Sequence, residues 1–491
     1  MLKEYIKKFN ENDEETHIQK IPNKDACEFL LKNAPELECP DKVIEETFAF
    51  RTWTIRKHLK DSDGGVMMSE FFPPVPWAGA YNTICAAFFH HLNEYRWFKN
   101  ADILIDYIFH FIENKKDNGY SYYTPALTAV YEFLKLTGND EIIKNSIDKF
   151  EAYFTGWEER HLTKSGLYWS NDNRDAMEFS ISGTTPDTYT SIKGLRPTLN
   201  AYMYGDAITL SKIFYEYGSN EKAKLYKCKA EKIKSLMDER LWDGDFYKAV
   251  HSTDIDGDIS IKDIPEEMNV RESIGYIPWI YSMPDANHAG MFAYLKDEKV
   301  FKAKCGFTTA DKSHPRYLYE HSHECLWNGY VWPFATSQVI GAVISLLNNY
   351  EQNVISNLDL YDFIKTYANM HYITKEDGVT YNWIDEVMHP DEKIWTTREI
   401  LKNLGWLEKR GGYERGKDYN HSTFIDLVLR GLVGIDANAD TLTVKPRIDG
   451  IWKWFAVRNL TFKKQSYNIY YDEDGTKYNK GVGLIIEKNP Q

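Results

Sequence analysis

Apolar residues return at helical spacing along most of this chain. From Asp41 to Leu59 (DKVIEETFAFRTWTIRKHL) they repeat every three or four positions behind Pro40, a stop, and Asp41, a residue suited to capping a helix start. This stretch predicts the first long helix, after a short polar start. The same periodicity predicts helices near 79–97, 100–114, 124–137, 140–156, 197–217, 219–240, 285–297, 329–350, 357–372 and 419–433, with turns such as Gly138-Asn139 and Gly218-Ser219 between them. Beyond Gly434 the chain changes character to short β-rich runs with turns between them. TLTVKPRI, FAVRNLTF, SYNIYYDE and GVGLIIEK predict a small sheet over 435–491, appended to a helical domain over 1–434.

About a dozen helices joined alternately by short turns and long connectors suit six helical hairpins closed into an (α/α)6 toroid, an all-α fold. A four-helix bundle would use fewer elements. In such a toroid the connectors near 157–196, 242–284, 298–328 and 374–418 lie on one side. Long ordered connectors on a rigid scaffold are where function tends to sit.

Composition supports a large core: the 491 residues are 43% hydrophobic and 27% charged, evenly mixed. The formal charge of −14 and a sequence pI near 5.6 repel phosphate backbones and anionic headgroups, so neither nucleic acid nor a membrane is an expected partner. The N-terminal MLKEYIKKFNENDEE has no apolar run of signal-peptide length, and no window approaches the ~20 apolar residues of a membrane span, so a cytoplasmic location is expected. Cys27, Cys39, Cys85, Cys228, Cys305 and Cys325 are scattered without a CxxC pair and read as reduced thiols. No phosphate loop, GxSxG elbow or GxGxxG fingerprint occurs, so no cofactor is expected.

Aromatic residues make up 15% of the chain, including 34 Tyr and 14 Trp, and they crowd the connectors. Their faces stack on the C–H faces of pyranoses, although large helical cores use aromatics too. YWSN at 168–171 and LWNGYVWP at 326–333 favour sugar binding. The segment GLYWSNDNRDAMEFSISG (166–183) sets Asp172, Arg174, Asp175 and Glu178 among Trp169, Met177 and Phe179. An apolar wall there could raise one carboxyl's pKa and make it a general acid, where the plainer alternative is a solvated acidic loop. NWIDEVMHP (382–390) supplies a second acidic pair, Asp385 and Glu386, which could equally cap a helix. Two carboxylates from separate loops facing one pocket is what glycoside hydrolysis requires.

Two metal readings are weak. HSHEC (321–325), with His314 upstream, lacks the i, i+4 spacing of hydrolytic zinc motifs, and its groups, Glu324 included, suit sugar hydroxyls better. DIDGDIS (254–260) alternates aspartates as calcium loops do, but Ile259 stands where the turn glycine belongs and Pro265 where the bidentate glutamate belongs. No metal is therefore expected. The run GGYERGKDYNHSTF (411–424) is a candidate pocket wall, with Glu414 a reserve base.

Taken in order, GLYWSNDNRDAMEFS, RPTLNAYMYGDA (196–207), WNGYVWP and NWIDEVMHP resemble the glycoside hydrolase clan of trehalase, mannosylglycerate hydrolase and the processing α-glucosidase I of family 63, over residues 40–435. In that clan a loop of the type S-G-W/M-D-(F/N)-S carries the acid, and laying DAMEFS on it puts Glu178 at that position. The clan's base is a glutamate in an E-x-Y-N/D-P-like segment, and EVMHP puts Glu386 there. The glutamate at 178, where the clan usually has aspartate, leaves Asp175 a rival acid. The lack of the large α-glucosidases' N-terminal β-sandwich leaves the substrate open.

The resemblance implies an exo-acting, inverting glycosidase for an α-linked glucoside- or mannoside-like sugar, with carboxyls roughly 6.5–9.5 Å apart. Arg51, Trp53, Trp77, Trp169, Arg196, Asn200, Glu324, Trp327, Asn328, Trp332 and His421 are the expected substrate shell. Rival readings are an (α/α)6 sugar epimerase using His321, His323 and His421, and a non-catalytic glycan binder.

Overall fold

A computed structural model describes residues 1–186, 190–252, 254–319 and 323–490. The chain is mostly helical, with a small sheet near its C-terminus. Where the apolar period is uninterrupted, helices stand where expected. Pro197–Tyr217 and Asn220–Arg240 are the longest, and Lys42–Lys57 starts at Asp41, whose Oδ1 accepts from the N–H groups of Val43 (3.1 Å) and Ile44 (3.3 Å).

Several elements differ from the periodic reading, each for a local reason. The polar start forms two helices, Leu2–Glu11 and Asn23–Asn33, because Leu2, Ile6 and Phe9 make a narrow apolar stripe that lysines and glutamates mask in the sequence. Residues 79–87 break into short turns, with Tyr81 and Asn82 at positive φ, and the helix begins only at Phe88. Ser146 divides the 140–156 stretch into Asp140–Asn145 and Ile147–His161. Ala286–Lys296 is a 3₁₀ run. The expected 419–433 helix is only Ile425–Gly431, leaving 419–424 as irregular chain, and the 374–418 connector contains an unanticipated helix, Thr396–Asn403. TLTVKPRI forms no strand beyond a single bridge from Val444 to Ile435, and Pro446 lacks the N–H a ladder needs. The aspartates of DIDGDIS are exposed on a surface turn.

The terminal sheet is antiparallel, and its edge comes from the other end of the chain: Glu36–Glu38 pairs with Trp454–Phe462, followed by Gln465–Asp472 and Gly483–Lys488. Among the helices, contacts run in a circuit. Phe88–Tyr95 packs on Ala126–Thr137, then Pro197–Tyr217, the short Ile277–Ile280, Pro333–Asn349 and Ile425–Gly431, which returns to Phe88–Tyr95. Asn220–Arg240 lies against Pro197–Tyr217, and Asn357–Met370 against Pro333–Asn349. One continuous apolar cluster runs from Leu2 to Ile469 and joins these layers. Prolines at the first helical positions, Pro197 and Pro333, start two of the circuit helices cleanly and leave Arg196 and Trp332 at their heads. No described helix is long and apolar enough to cross a membrane.

Candidate active site

The connectors meet at a cavity of about 680 Å3. Glu70, Phe71 and Trp77 reach it from the segment after the hairpin Leu59–Ser62/Gly65–Met68, and Ile84, Ala86 and Tyr122 continue that wall. The 157–196 connector supplies Asn173, Ala176, Glu178 and Phe179. Glu386 comes from the 374–418 connector, together with Lys409, Arg410 and Arg415, and Tyr419 follows. His323, Glu324, Cys325 and Trp332 close it. No described residue of the 242–284 connector lines it; there Glu272 accepts the Ser182 N–H (3.1 Å) and its hydroxyl, bracing the loop from outside.

Glu178 is placed by a contorted stretch of backbone. Ala176 (φ 56) and Phe179 (φ 66) are both left-handed, a conformation that costs a bulky residue on the order of 1–3 kcal/mol and persists where the surroundings impose it. Those surroundings include Asp172, which accepts from Thr184 Oγ1 (2.7 Å), the Ser191 hydroxyl and the Asn173 N–H (2.9 Å). Burial pushes the Glu178 carboxyl up to about 8, and the negative charges of Asp172, Glu386 and Glu70 add to the rise. It is therefore protonated at neutral pH.

Glu386 is 3% exposed. Burial pushes its carboxyl up as well, but the Arg415 guanidinium bonded to its Oε2 acts against that rise. Arg415 also reaches Glu324 Oε1 (3.4 Å) and lies 5.3 Å from the ring centroids of Phe71 and Trp77. Burial opposes ionisation of Glu324 too, yet its bond from Arg410 holds it below the usual carboxylate range. Next to Arg415 the chain passes close to a buried carboxyl: a Cβ on Gly416 would fall 1.9 Å from Asp385 Oδ1, so a larger residue there would displace Asp385.

Of the residues singled out by sequence, Glu178, Glu386, Trp77, Glu324 and Trp332 line the cavity. Others stand behind it. Asp175 is buried against Arg196 Nε and accepts from Thr198 Oγ1 (2.6 Å). Trp327 stacks on Trp332 at 4.2 Å, and His421 packs under Tyr419 at 3.7 Å. Arg51 pairs with Glu94 (3.3 Å) and Ser422. Asn200 bridges the backbone of Tyr168 and Arg196 (2.8–2.9 Å), and Asn328 Nδ2 donates to Tyr319 O (2.7 Å).

Two tryptophans lie away from the cavity because their indoles are committed elsewhere. Trp53 donates to Asn10 (2.8 Å) between Phe9 and Phe50, and Trp169 donates to Arg160 O (3.2 Å) beside His161. Glu414 is drawn away by Arg398 (2.6 Å). His323 lines the cavity, while His321 lies outside the described residues.

Glu70, Phe71, Tyr122, Arg410, Arg415 and Tyr419 also line the cavity, and none was singled out individually from the sequence. Only Arg415 and Tyr419 had a signal, inside the 411–424 run. Glu70 precedes FFPPVPW, whose tryptophan was noted without its neighbour.

The raised Glu178 carboxyl should leave a trace in stability. The folded protein keeps that proton where an unfolded glutamate near 4.5 has lost it, so its contribution is present below about 4.5 and lost as pH rises through about 8. Between about pH 5 and pH 8.5, Glu178→Gln should gain roughly 1–3 °C in melting temperature relative to wild type. A constant difference across that range, measured calorimetrically, would mean that Glu178 is ionised in the folded protein.

The family model described as the mannosylglycerate hydrolase MGH1-like glycoside hydrolase domain matches residues 80–422. A solved structure named sialidase is 31% identical with a TM-score of 0.87; the match covers 99% of this chain, which spans only 43% of that one. A family GH78 rhamnosidase from a Bacillus species (13% identical, TM-score 0.58) matches 93% of this chain and 42% of its own. The GH63 mannosylglycerate hydrolase from Thermus thermophilus, in complex with Tris and D-glycerate (12% identical, TM-score 0.52), matches 78% of this chain and 99% of its own. These last two share the fold alone. No curated protein sequence matches.

Proposed function

This chain belongs to the mannosylglycerate hydrolase MGH1-like glycoside hydrolase family, and from that premise we propose that it is an exo-acting, inverting glycosidase for an α-linked glucoside- or mannoside-like sugar. One observation carries the reading: Glu178 and Glu386, from connectors far apart in sequence, line one cavity, the first driven towards its protonated form and the second held by an arginine. Glu178 protonates the glycosidic oxygen. Glu386 takes a proton from water on the opposite face of the sugar, and Arg415 opposes the rise that burial gives its carboxyl. Asp175 orients Arg196 behind the acid. Trp77, Trp332, Phe71 and Tyr122 offer ring faces to the substrate, and Glu324 with Arg410 offers polar contacts.

The proposal includes a six-hairpin (α/α)6 toroid over 1–434 with 435–491 appended, supported by the closed circuit of helix contacts, and a cytoplasmic location, supported by six unpaired cysteines. The test is a screen of nitrophenyl glycosides and α-linked disaccharides for released reducing sugar, with the product anomer followed by NMR in the first minutes. Opposite configuration is expected. Retention would require Glu386 to act as a nucleophile and would overturn the water-activating role.

A further inference from the structure

Glu70 is a third carboxyl in the cavity, and neither acid nor base chemistry uses it. It follows the strand Gly65–Met68, and the chain around it is pinned on both sides. Its carbonyl accepts the Asn420 N–H (3.1 Å), and Asn82 Nδ2 donates to Phe71 O (3.0 Å) and Pro73 O (2.9 Å). The side chain is 5% exposed. Its Oε1 accepts from the Tyr419 hydroxyl, whereas its Oε2 is buried with no hydrogen-bond partner among the described residues. No described lysine or arginine pairs with it; Arg415 acts on it only through space.

A buried carboxyl oxygen without a hydrogen-bond partner is costly, and Glu70, unlike the half-satisfied Asp175 behind the site, lines the cavity. Along the wall Phe71, Ile84 and Ala86 are apolar, and the Tyr122 phenol, near enough to feel the Glu70 charge, makes no hydrogen bond to Oε2. The cavity that Glu70 lines is a source for the missing partner.

We infer that Glu70 is a specificity-determining residue whose free oxygen hydrogen-bonds one hydroxyl of the bound sugar ring, selecting sugars that carry that hydroxyl over their deoxy counterparts. Burial pushes the carboxyl up to about 8, against the Tyr419 bond, so at neutral pH Oε2 bears a proton and donates it. The complementary group is a neutral hydroxyl oxygen. The assignment rests on the reading of the cavity as a sugar site, but it needs no turnover.

The experiment is calorimetric titration of wild type, Glu70→Gln and Glu70→Ala with glucose, mannose, rhamnose and N-acetylneuraminic acid, then with the monodeoxy analogues of the tightest binder. Glu70→Ala should bind roughly 10- to 100-fold more weakly. Glu70→Gln, whose amide both donates and accepts, should stay within about threefold of wild type. The one analogue missing the contacted hydroxyl should bind wild type and Glu70→Ala alike, a result that general loss of structure would not produce. Equal affinity of all three proteins, an alanine penalty shared by every analogue, or no binding of any of these sugars to wild type would overturn the assignment. So would a Glu70→Gln defect confined to poor leaving groups, which would make Glu70 the acid. Binding without hydrolysis of any glycoside would defeat the glycosidase reading and leave the Glu70 assignment standing.

Discussion

Glu386→Ala is expected to lower turnover by ~10²–10⁴-fold on every glycoside the protein accepts, because it removes the carboxyl that takes the proton from water. Of the other described carboxyls lining the cavity, Glu324 pairs with two arginines, Arg410 and Arg415, where Glu386 pairs with Arg415, and burial drives Glu70 and Glu178 towards their protonated forms. Glu178→Gln should differ in kind. With a poor leaving group it should lose ~10²–10⁴-fold, and with a nitrophenolate, which departs without a proton, it should stay within about tenfold of wild type. Asp175→Asn separates the rival acids. Asp175 lies behind the cavity against Arg196, so its loss should depress activity without any dependence on the leaving group. A leaving-group dependence in the Asp175 variant and none in the Glu178 variant would exchange their roles.

Arg415→Met should be the most damaging change outside the two reacting carboxyls. It strips the buried Glu386 of its cation, and an unpaired buried charge costs about 3–5 kcal/mol unless it takes up a proton. Protonation is the cheaper response, and a protonated Glu386 cannot accept a proton from water. The acidic limb of the kcat/KM profile, which reports ionisation of the base, should therefore move up by about 1–3 pH units, with activity surviving only on the alkaline side. Arg415→Lys keeps a charge but not the two-pronged reach to Glu324 and Glu386, so its limb should fall between. An acidic limb unmoved in Arg415→Met would show that Glu386 does not supply it.

What the sequence determined by itself was periodic or short-range. The helices at 197–217 and 220–240 follow from an unbroken apolar repeat, the start at Asp41 from a side chain reaching its own next N–H groups, and the strands at 454–462 and 465–472 from short β-rich runs separated by turns. Glu178 and Glu386 were legible because each sits in an acidic, aromatic loop with a family pattern around it, and both line the cavity.

The tertiary structure alone decided which other side chains share that cavity. Arg51, Trp53 and Asn200 have residue types suited to sugars, but their hydrogen-bonding groups are taken up inside the scaffold by Glu94, Asn10 and the Tyr168 backbone. Glu70 and Arg415 look ordinary along the chain. They acquire a role only because the fold carries the 69–77 and 409–419 segments to the same cavity, where burial shifts one carboxyl's proton affinity and an ion pair opposes the shift of another. Burial and charge proximity depend on distances in space between segments hundreds of residues apart, and no local pattern of apolar and polar positions encodes them.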